Sequence, residues 1–380
     1  MKEILTLNNL GIKKDHLFKI ALRFFYRSCL GVYVYITTIN YKKIKKTKLR
    51  VFFSGARSGN YGGPLVKVKR LKQEFSEYFL NYNLLYVLSN APYLPEYSYK
   101  LIKKKKIPIV FNQNGVFYEA WYQGNWQREN ARMSVPYHLA NYVFYQSQFC
   151  KKSANKYLGV REGDSEILYN AVNTALFRPN KELSHKTDDS FIFLLSGWID
   201  KHLYYRVENT IKALAAAIRE GLNAKLIIAG GLHQDVTKAS KQLIHELRIN
   251  NLIKFTGPYK QEEAPSIYNS ANAYIMTKHN DPCPNTVIEA LSCGLPVLYS
   301  DTGGIPELVG QEAGVALPCN ESWKKLQEPD VKSICDGMLA IVDQHDKMSV
   351  SARNRAVEKF DIKHWINRHK LIFEKLLGNE

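Results

Sequence analysis

The sequence lacks the residues that usually mark a metal centre, a disulfide framework or a membrane span. Its six cysteines include no C-x-x-C pair, and no histidine cluster shows zinc-ligand spacing. This pattern indicates a reduced, intracellular protein without a structural metal. The longest apolar run, Cys29 to Ile39, is about half as long as a spanning helix. Met1 to Leu10 lacks the apolar stretch of a signal peptide, so we expect a cytoplasmic protein.

Length and composition predict two globular domains. At 380 residues the chain exceeds the size at which a single hydrophobic core usually keeps growing. Because 45% of the residues are hydrophobic and 12% are aromatic, two cores can be filled and a disordered protein is excluded.

Acidic residues are scarce in the first part of the chain. Residues 1–110 hold 22 Lys and Arg against 5 Asp and Glu, so almost all of the net charge of +18 lies there. The basic blocks are Lys42 to Arg50, Lys67 to Lys72 and Lys103 to Lys106. Such runs can bind an anionic membrane surface or an anionic acceptor, or they can bind nucleic acid. They can also be surface segments that only contact solvent. We expect no nucleic-acid partner, because no recognised nucleic-acid module accompanies the charge.

A basic amphipathic helix is predicted from His16 to Ser28. Leu17, Ile20 and Phe24 fall on one stripe of this segment, away from its lysines and arginines. The pattern is typical both of a helix lying on a bilayer and of a helix packed on its own domain, and the sequence leaves both open.

Short apolar runs alternate with helical stretches from Arg50 onward, which predicts parallel strands joined by crossover helices. We therefore expect a basic extension over residues 1–49, an α/β domain over 50–180 and a second α/β domain over 190–361. A last helix within 362–379 is far enough from the linker to cross back to the first domain. Two doubly wound, Rossmann-like domains of this kind place a ligand in the cleft between them, at the carboxyl ends of the strands.

The segment Asp281-Pro-Cys-Pro-Asn-Thr-Val-Ile-Glu289 carries the most specific chemistry. Pro284 has the geometry of a first helical position, and the N–H groups of Asn285 and Thr286 then face outward to bind phosphate. Asp281 and Glu289 suit hydrogen bonds to a sugar ring and to a ribose. Asp281 alone is also typical of a turn, and Glu289 alone of a solvated helix face.

At these residues the sequence resembles the family 4 retaining glycosyltransferases of the GT-B fold. The resemblance continues in Gly294-Leu-Pro-Val and Asp301-Thr-Gly-Gly-Ile-Pro-Glu307, and upstream in Asn170-Ala-Val-Asn173 and Gly62-Gly63. It covers the chain from about Val51 to the C-terminus.

The resemblance implies a role for each matching residue. Glu289 would hold the donor's ribose and Asp281 the transferred sugar, while Gly62 and Gly63 would let backbone approach the diphosphate, unless they only form a tight turn.

Two departures from the family pattern change the candidate residues. Asp281 stands where the family usually has Glu, and Trp198 stands near the expected arginine, which leaves Lys201 and Arg206 as candidate diphosphate cations. His138 is a weak substitute for the family's catalytic histidine, since a lone histidine in an apolar helix usually packs in the core.

The implied reaction moves a sugar from a nucleotide diphosphate donor to a glycan or lipid-linked acceptor with retention, as in capsule or lipopolysaccharide assembly. Neither a metal nor a cofactor is expected, because no acidic pair follows a strand to hold a divalent ion. The alternatives are a sugar-nucleotide binding protein without turnover and a GT-B epimerase or phosphorylase.

Overall fold

The computed structural model describes residues 14–39, 48–59, 63–89, 94–180 and 190–378. Within these ranges, strands and helices alternate along the chain. The strands are β1 Val51–Phe52, β2 Leu84–Leu88, β3 Ile109–Gln113, β4 Tyr142–Tyr145, β5 Ser165–Ile167, β6 Phe191–Ser196, β7 Ala224–Ala229, β8 Ile253–Gly257, β9 Ala273–Met276, β10 Val297–Ser300 and β11 Gly314–Leu317. The helices are α1 Lys14–Ile39, α2 Gly63–Glu74, α3 Glu96–Lys104, α4 Trp126–Leu139, α5 Gln148–Tyr157, α6 Tyr204–Arg219, α7 Gln234–Glu246, α8 Ala264–Asn269, α9 Asn285–Ser292, α10 Ile305–Val309, α11 Val331–Asp343, α12 His345–Phe360 and α13 Ile362–Leu377.

The first five strands form a parallel sheet in chain order, β1-β2-β3-β4-β5. Every residue of β2 and β3 is buried, as expected for strands that are covered on both faces by helices. Helices α3, α4 and α5 pack on one face, and α2 and α13 pack on the other.

The second sheet is also parallel, in the order β11-β10-β9-β6-β7-β8. The chain moves outward from β6 to β8 and then returns to the other side of β6 at β9. The strand order therefore reverses between β6 and β9, which is the switch point where doubly wound sheets bind ligands. The predicted α/β class with two parallel sheets is confirmed.

Helix α1 packs against the first sheet through one face. The Tyr26 hydroxyl donates to Gly55 O at 3.0 Å, and the hydroxyls of Thr38 and Tyr82 are 3.1 Å apart. A side chain at Gly31 would come within 2.6 Å of Pro95, so the helix and the loop before α3 touch closely. The helix predicted from His16 to Ser28 thus exists and extends to Ile39.

The outward face of α1 is apolar. Six of its exposed side chains follow one another at intervals of three and four residues, which places them on one stripe of the helix. They are Leu22, Phe25, Cys29, Val32, Ile36 and Ile39, and Phe24 and Tyr35 beside the stripe are exposed as well.

The chain crosses between the two sheets twice, and the two crossings are bonded to each other. Val172 N–H donates to Phe360 O at 2.8 Å, and Ile362 N–H donates to Val172 O at 2.9 Å. The Thr174 hydroxyl adds a hydrogen bond to the Asp361 carboxylate. Beyond this ladder, α13 returns to the first sheet, where its Trp365 and Phe373 are buried. Most of the predicted linker, residues 181–189, lies outside the described residues.

Candidate active site at the domain junction

Residues 277–284, the junction loop, connect β9 to α9 directly at the switch point. Asn280 adopts a left-handed conformation (φ 50°), and its N–H donates to the Thr302 hydroxyl at 3.1 Å. A Cβ atom at Gly304 would lie 2.0 Å from Pro282 O, so only glycine allows the Gly-Gly turn to approach the loop this closely. The repeated glycines of the sequence motif therefore fix the position of the junction loop.

Asp281 shapes the junction loop and carries a cationic partner. One carboxylate oxygen accepts the Cys283 N–H at 3.2 Å, and the other lies 2.8 Å from Lys278 Nζ. The turn interpretation of Asp281 thus describes its local contacts. The role predicted for Asp281 in binding a sugar stays a prediction.

Helix α9 begins at Asn285, and Pro284 precedes it with an extended backbone (ψ 122°). The prediction that Pro284 occupies the first helical position is wrong by one residue, since it caps the helix instead. Val287 N–H donates to Pro284 O at 3.2 Å, so the N–H groups of Asn285 and Thr286 form the open amino end of the helix. Such an end attracts anions through its N–H groups and the helix dipole.

Glu289 lies one turn further along α9 and is partly buried. The Tyr268 hydroxyl donates to its carboxylate at 3.1 Å. Burial raises the pKa of Glu289 to about 7, while the charge of Arg70 on α2 acts in the opposite direction. Neither Tyr268 nor Arg70 was a predicted site residue. The solvated-face interpretation of Glu289 is therefore wrong, because its carboxylate sits among protein groups from both domains.

Buried polar atoms without a hydrogen-bond partner gather around the junction loop. In the part of the chain that the structure describes, they include Thr277 Oγ1, His279 Nδ1, Asn280 Oδ1, Asn285 Oδ1 and Arg206 Nε. Buried polar groups in folded proteins are nearly always hydrogen-bonded, so such a concentration makes this place a candidate site for a polar ligand.

The two candidate cations after β6 differ in placement. Arg206 is only 3% exposed, and its guanidinium contacts the Met276 sulfur at 3.4 Å at the end of β9. Lys201, in contrast, is exposed and pairs with Asp235 at the start of α7. Trp198, near the expected arginine position, is 70% exposed. Arg206 is therefore the better diphosphate candidate of the two.

His138 does not reach the site. It lies near the carboxyl end of α4, where its Nε2 is 2.8 Å from Leu158 O. Because α4 runs antiparallel to the strands, this end lies at the amino ends of β4 and β5, opposite the junction loop. The prediction of a catalytic role for His138 is wrong, and it serves local packing.

Of the predicted glycine pair, Gly62 lies outside the described residues. Gly63 opens α2 and faces α9, because a Cβ atom there would lie 3.5 Å from Asn285 Nδ2. The first domain therefore approaches the amino end of α9, while the predicted approach of the two glycines to a diphosphate stays a prediction.

The first domain also holds the junction loop directly. Asn170 Nδ2 donates to Cys283 O at 2.8 Å, and Asn170 N–H donates to Cys283 Sγ at 3.4 Å. Glu307, which follows the Gly-Gly turn, accepts the N–H groups of Gln148 and Phe149 at 2.7 and 2.8 Å and so caps α5. The motif N-A-V-N identified Asn170 without revealing this contact.

An aromatic contact closes the outer side of the junction. Trp323 of the second domain stacks on Phe149 with ring centroids 5.1 Å apart and meets Tyr118 edge-on at 4.9 Å. Ala120 N–H donates to Trp323 O at 3.0 Å. The two domains are therefore in contact on both sides of the junction loop.

The described residues contain no group of three or more His, Cys, Asp or Glu side chains arranged to hold a metal ion. Among the helices that the structure describes, none combines the length and apolarity that crossing a membrane requires.

Part of the chain matches a known family model. Residues 178–334 match the family model of the group 1 glycosyl transferases. The chain is similar to an uncharacterized glycosyltransferase of Methanocaldococcus jannaschii, 24% identical over 252 residues that cover 62% of this chain and 61% of that protein. It is also similar to a probable sucrose-phosphate synthase of Thermosipho melanesiensis, 24% identical over 209 residues, 54% of this chain and 46% of that protein. The matches thus span less than two thirds of either relative's length.

Among solved structures, the chain resembles Anabaena HepE in complex with UDP. The TM-score is 0.63 at 18% identity, and the match covers 82% of each chain. At this level of identity the likeness shows the fold, which is the two-domain GT-B arrangement.

Proposed function

We propose that the chain transfers a sugar from a nucleoside diphosphate carrier to an acceptor at the domain junction, because residues 178–334 match the family model of the group 1 glycosyl transferases. The observation that carries this proposal is the cluster of unpartnered buried polar atoms around the junction loop, beside the open amino end of α9. Fixed N–H groups and hydrogen-bonding side chains at a switch point suit a nucleotide with a diphosphate. HepE, a protein of the same fold, binds UDP in its solved structure.

Each residue of the junction then has one task. Glu289 accepts hydrogen bonds from the ribose, and Asp281 accepts one from the transferred sugar. The N–H groups of Asn285 and Thr286 bind the phosphates, and Arg206 supplies a cation that is already desolvated. Such pre-oriented groups stabilise the charge that develops on the departing diphosphate.

We further propose the retaining chemistry of family 4, without a metal or cofactor. The bond between sugar C1 and the phosphate oxygen breaks, and its electron pair stays on the phosphate. The acceptor oxygen bonds to C1 on the same face, and its proton passes to a phosphate oxygen, which acts as the base. Chelation of divalent ions with EDTA would leave turnover unchanged, whereas a metal-dependent enzyme would lose it.

The acceptor is proposed to be a glycan or lipid-linked sugar at the cytoplasmic face of a membrane, in the synthesis of a cell-surface polysaccharide or lipopolysaccharide. The exposed apolar stripe of α1, within a strongly basic segment, supports this placement. The test is sedimentation with vesicles of phosphatidylcholine and phosphatidylglycerol. The double variant Phe25→Glu with Val32→Glu is expected to lower binding roughly tenfold or more. Val160→Glu, at a residue 76% exposed outside α1, is the matched control and should bind like the unaltered protein.

The test of the reaction measures release of nucleoside diphosphate from UDP-, GDP-, ADP- and CDP-sugars, with and without acceptor lipid extracts. Release that depends on acceptor, and that is lost in Glu289→Gln but kept in the exposed control Glu312→Gln, supports transfer. Tight binding of a donor without release from any pair would instead indicate a binding protein. Release that needs no acceptor would indicate an epimerase of the kind that eliminates the nucleotide.

A further inference from the structure

Helix α2 of the first domain turns one face toward the donor side of the junction. Gly63 faces Asn285, as described above, and Arg70 interacts electrostatically with Glu289. Lys67, between them, interacts electrostatically with Cys283 of the junction loop. Positions 63, 67 and 70 fall on one face of a helix. This face therefore follows the second domain from the amino end of α9 to Glu289.

Lys67 is the buried cation at the centre of this face. It is 5% exposed, and its ammonium donates to Asn112 Oδ1 at 2.8 Å and to Asn114 Oδ1 at 3.2 Å. Gln146 Nε2 donates to the same two oxygens, at 3.1 Å for Asn112. Among the described residues, no carboxylate forms an ion pair with Lys67. Its hydrogen bonds are thus made to neutral amides, while its charge has no counter-ion.

Burying an unpaired charge is costly, and proteins rarely do so without a use for it. Here the desolvation lowers the pKa of Lys67 to about 7. The Lys67 ammonium lies at the carboxyl edge of the first sheet, where it bonds Asn112 and Asn114, on the face of α2 that turns toward the junction loop. A cation in this position fits an anion that is supplied by the ligand.

We propose that Lys67 binds the donor's diphosphate from the first domain, across from the N–H groups of Asn285 and Thr286. This inference rests on the proposed sugar transfer and adds to it a phosphate contact outside the second domain. The ammonium keeps its proton throughout the reaction. It becomes more strongly bound as the C1–oxygen bond breaks and the electron pair adds negative charge to the diphosphate.

A pH dependence follows from this placement. In the free protein Lys67 loses its proton above about pH 7, so binding the anion must restore it. Between pH 7.5 and 9 the dissociation constant is therefore expected to rise by up to about tenfold per pH unit. Phosphate oxygens are already ionised in this range.

The titratable groups that face Lys67 do not change their protonation between pH 7.5 and 9. Burial raises the pKa of Cys150 to about 12 and also raises that of Cys283, while burial lowers the pKa of His369 to about 3. Arg70, one turn along α2, remains a cation, although burial lowers its pKa.

The experiment uses calorimetric titration with whichever of UDP, GDP, ADP and CDP binds the unaltered full-length chain. Lys67→Met is expected to weaken binding by roughly 10- to 100-fold, as for loss of a hydrogen bond to a charged group. The same variant should remove the rise in dissociation constant between pH 7.5 and 9. Lys67→Gln keeps a donor for Asn112 and Asn114 without the charge, so it should be as weak as Lys67→Met. Lys69→Met, about 200° away around the same helix, is the matched control and should bind within about twofold of the unaltered chain.

The outcomes separate the two proposals. If the unaltered chain binds none of the four nucleotides, the proposed donor is wrong. If it binds one and Lys67→Met binds it equally well, the donor proposal stands and the role of Lys67 is overturned. Full affinity in Lys67→Gln would also overturn it, because the lysine would then only hold the two asparagines. Should Lys67→Met fail to fold, Lys67→Gln and the pH dependence of the unaltered chain decide the question.

Discussion

Glu289 is expected to destabilise the unliganded protein at neutral and alkaline pH. Its pKa is about 7 in the folded chain, against an ordinary value of 4.5, because its carboxylate is enclosed by protein groups. Between these two pH values the folded state holds a proton that the unfolded chain has released. The free energy of unfolding therefore falls as the pH rises from about 4.5 to about 7, and the loss stays constant above that.

The size of this effect follows from the two pKa values. Each pH unit of difference corresponds to about 1.4 kcal/mol, so a fully enclosed carboxylate would cost roughly 3 kcal/mol. Glu289 keeps part of its surface and interacts with Arg70, so we expect Glu289→Gln to raise the free energy of unfolding by about 1–2 kcal/mol at pH 8. For a domain of this size that is a rise of roughly 2–8 °C in the melting temperature. At pH 4.5, where the side chain is protonated in the folded state and about half protonated in the unfolded chain, most of the difference should disappear.

Thermal and urea unfolding at pH 4.5 and pH 8, without nucleotide, measure this difference. Glu312→Gln, in the same domain but exposed, is the control and should change stability by less than about 0.5 kcal/mol at either pH. The same Glu289→Gln preparation should lose nucleotide binding, since the neutral amide no longer accepts two hydroxyl hydrogen bonds as a carboxylate does. A variant that is no more stable than the unaltered chain at pH 8 would refute the reasoning, because burial of the Glu289 carboxylate would then not lower the free energy of unfolding.

Three further predictions concern the junction. Arg206→Met should weaken nucleoside diphosphate binding by roughly 10- to 100-fold in calorimetry, whereas Lys201→Met should change it by less than about threefold. Equal effects of the two substitutions would contradict the choice of Arg206 as the diphosphate cation. Gly304→Ala should destabilise the chain by about 1–3 kcal/mol and raise KM for the donor, because the new methyl group collides with Pro282 O; an unchanged KM would mean that the junction loop does not hold the donor. Trp323→Ala should cost roughly 2 kcal/mol in urea unfolding, and an unaltered midpoint would show that the aromatic contact does not join the domains.

The fold was largely predictable because buried parallel strands appear in the sequence as continuous apolar runs. The sequence contains such runs at Leu84–Leu88, Ala224–Ala229 and Ala273–Met276, which coincide with β2, β7 and β9. It missed β11, whose Gly314 and exposed Ala316 interrupt the apolar pattern at the edge of the sheet. It indicated a helix around His138 but not the bounds of α4, since Pro136 within that helix argues against a continuous helix.

The candidate site was predictable where a local motif specifies it, as for Asn285 and Glu289. Lys67 could not be singled out from the sequence, because it belongs to a basic run in which nothing distinguishes one lysine from the others. Its burial depends on β3, β4 and the junction loop, which are far away in the sequence and adjacent only after folding. Lys201 and Arg206 could not be separated either, because both follow β6 and only the packing of α6 decides which one turns inward.

The paired crossings at Val172 and Asp361 set how the two halves of the molecule can move. A single connecting strand would let one half rotate freely about that strand. Two strands bonded side by side bend together, but they cannot twist about each other without breaking their mutual hydrogen bonds. This bonding resists rotation of one half about the other and so favours the position of Lys67 opposite α9.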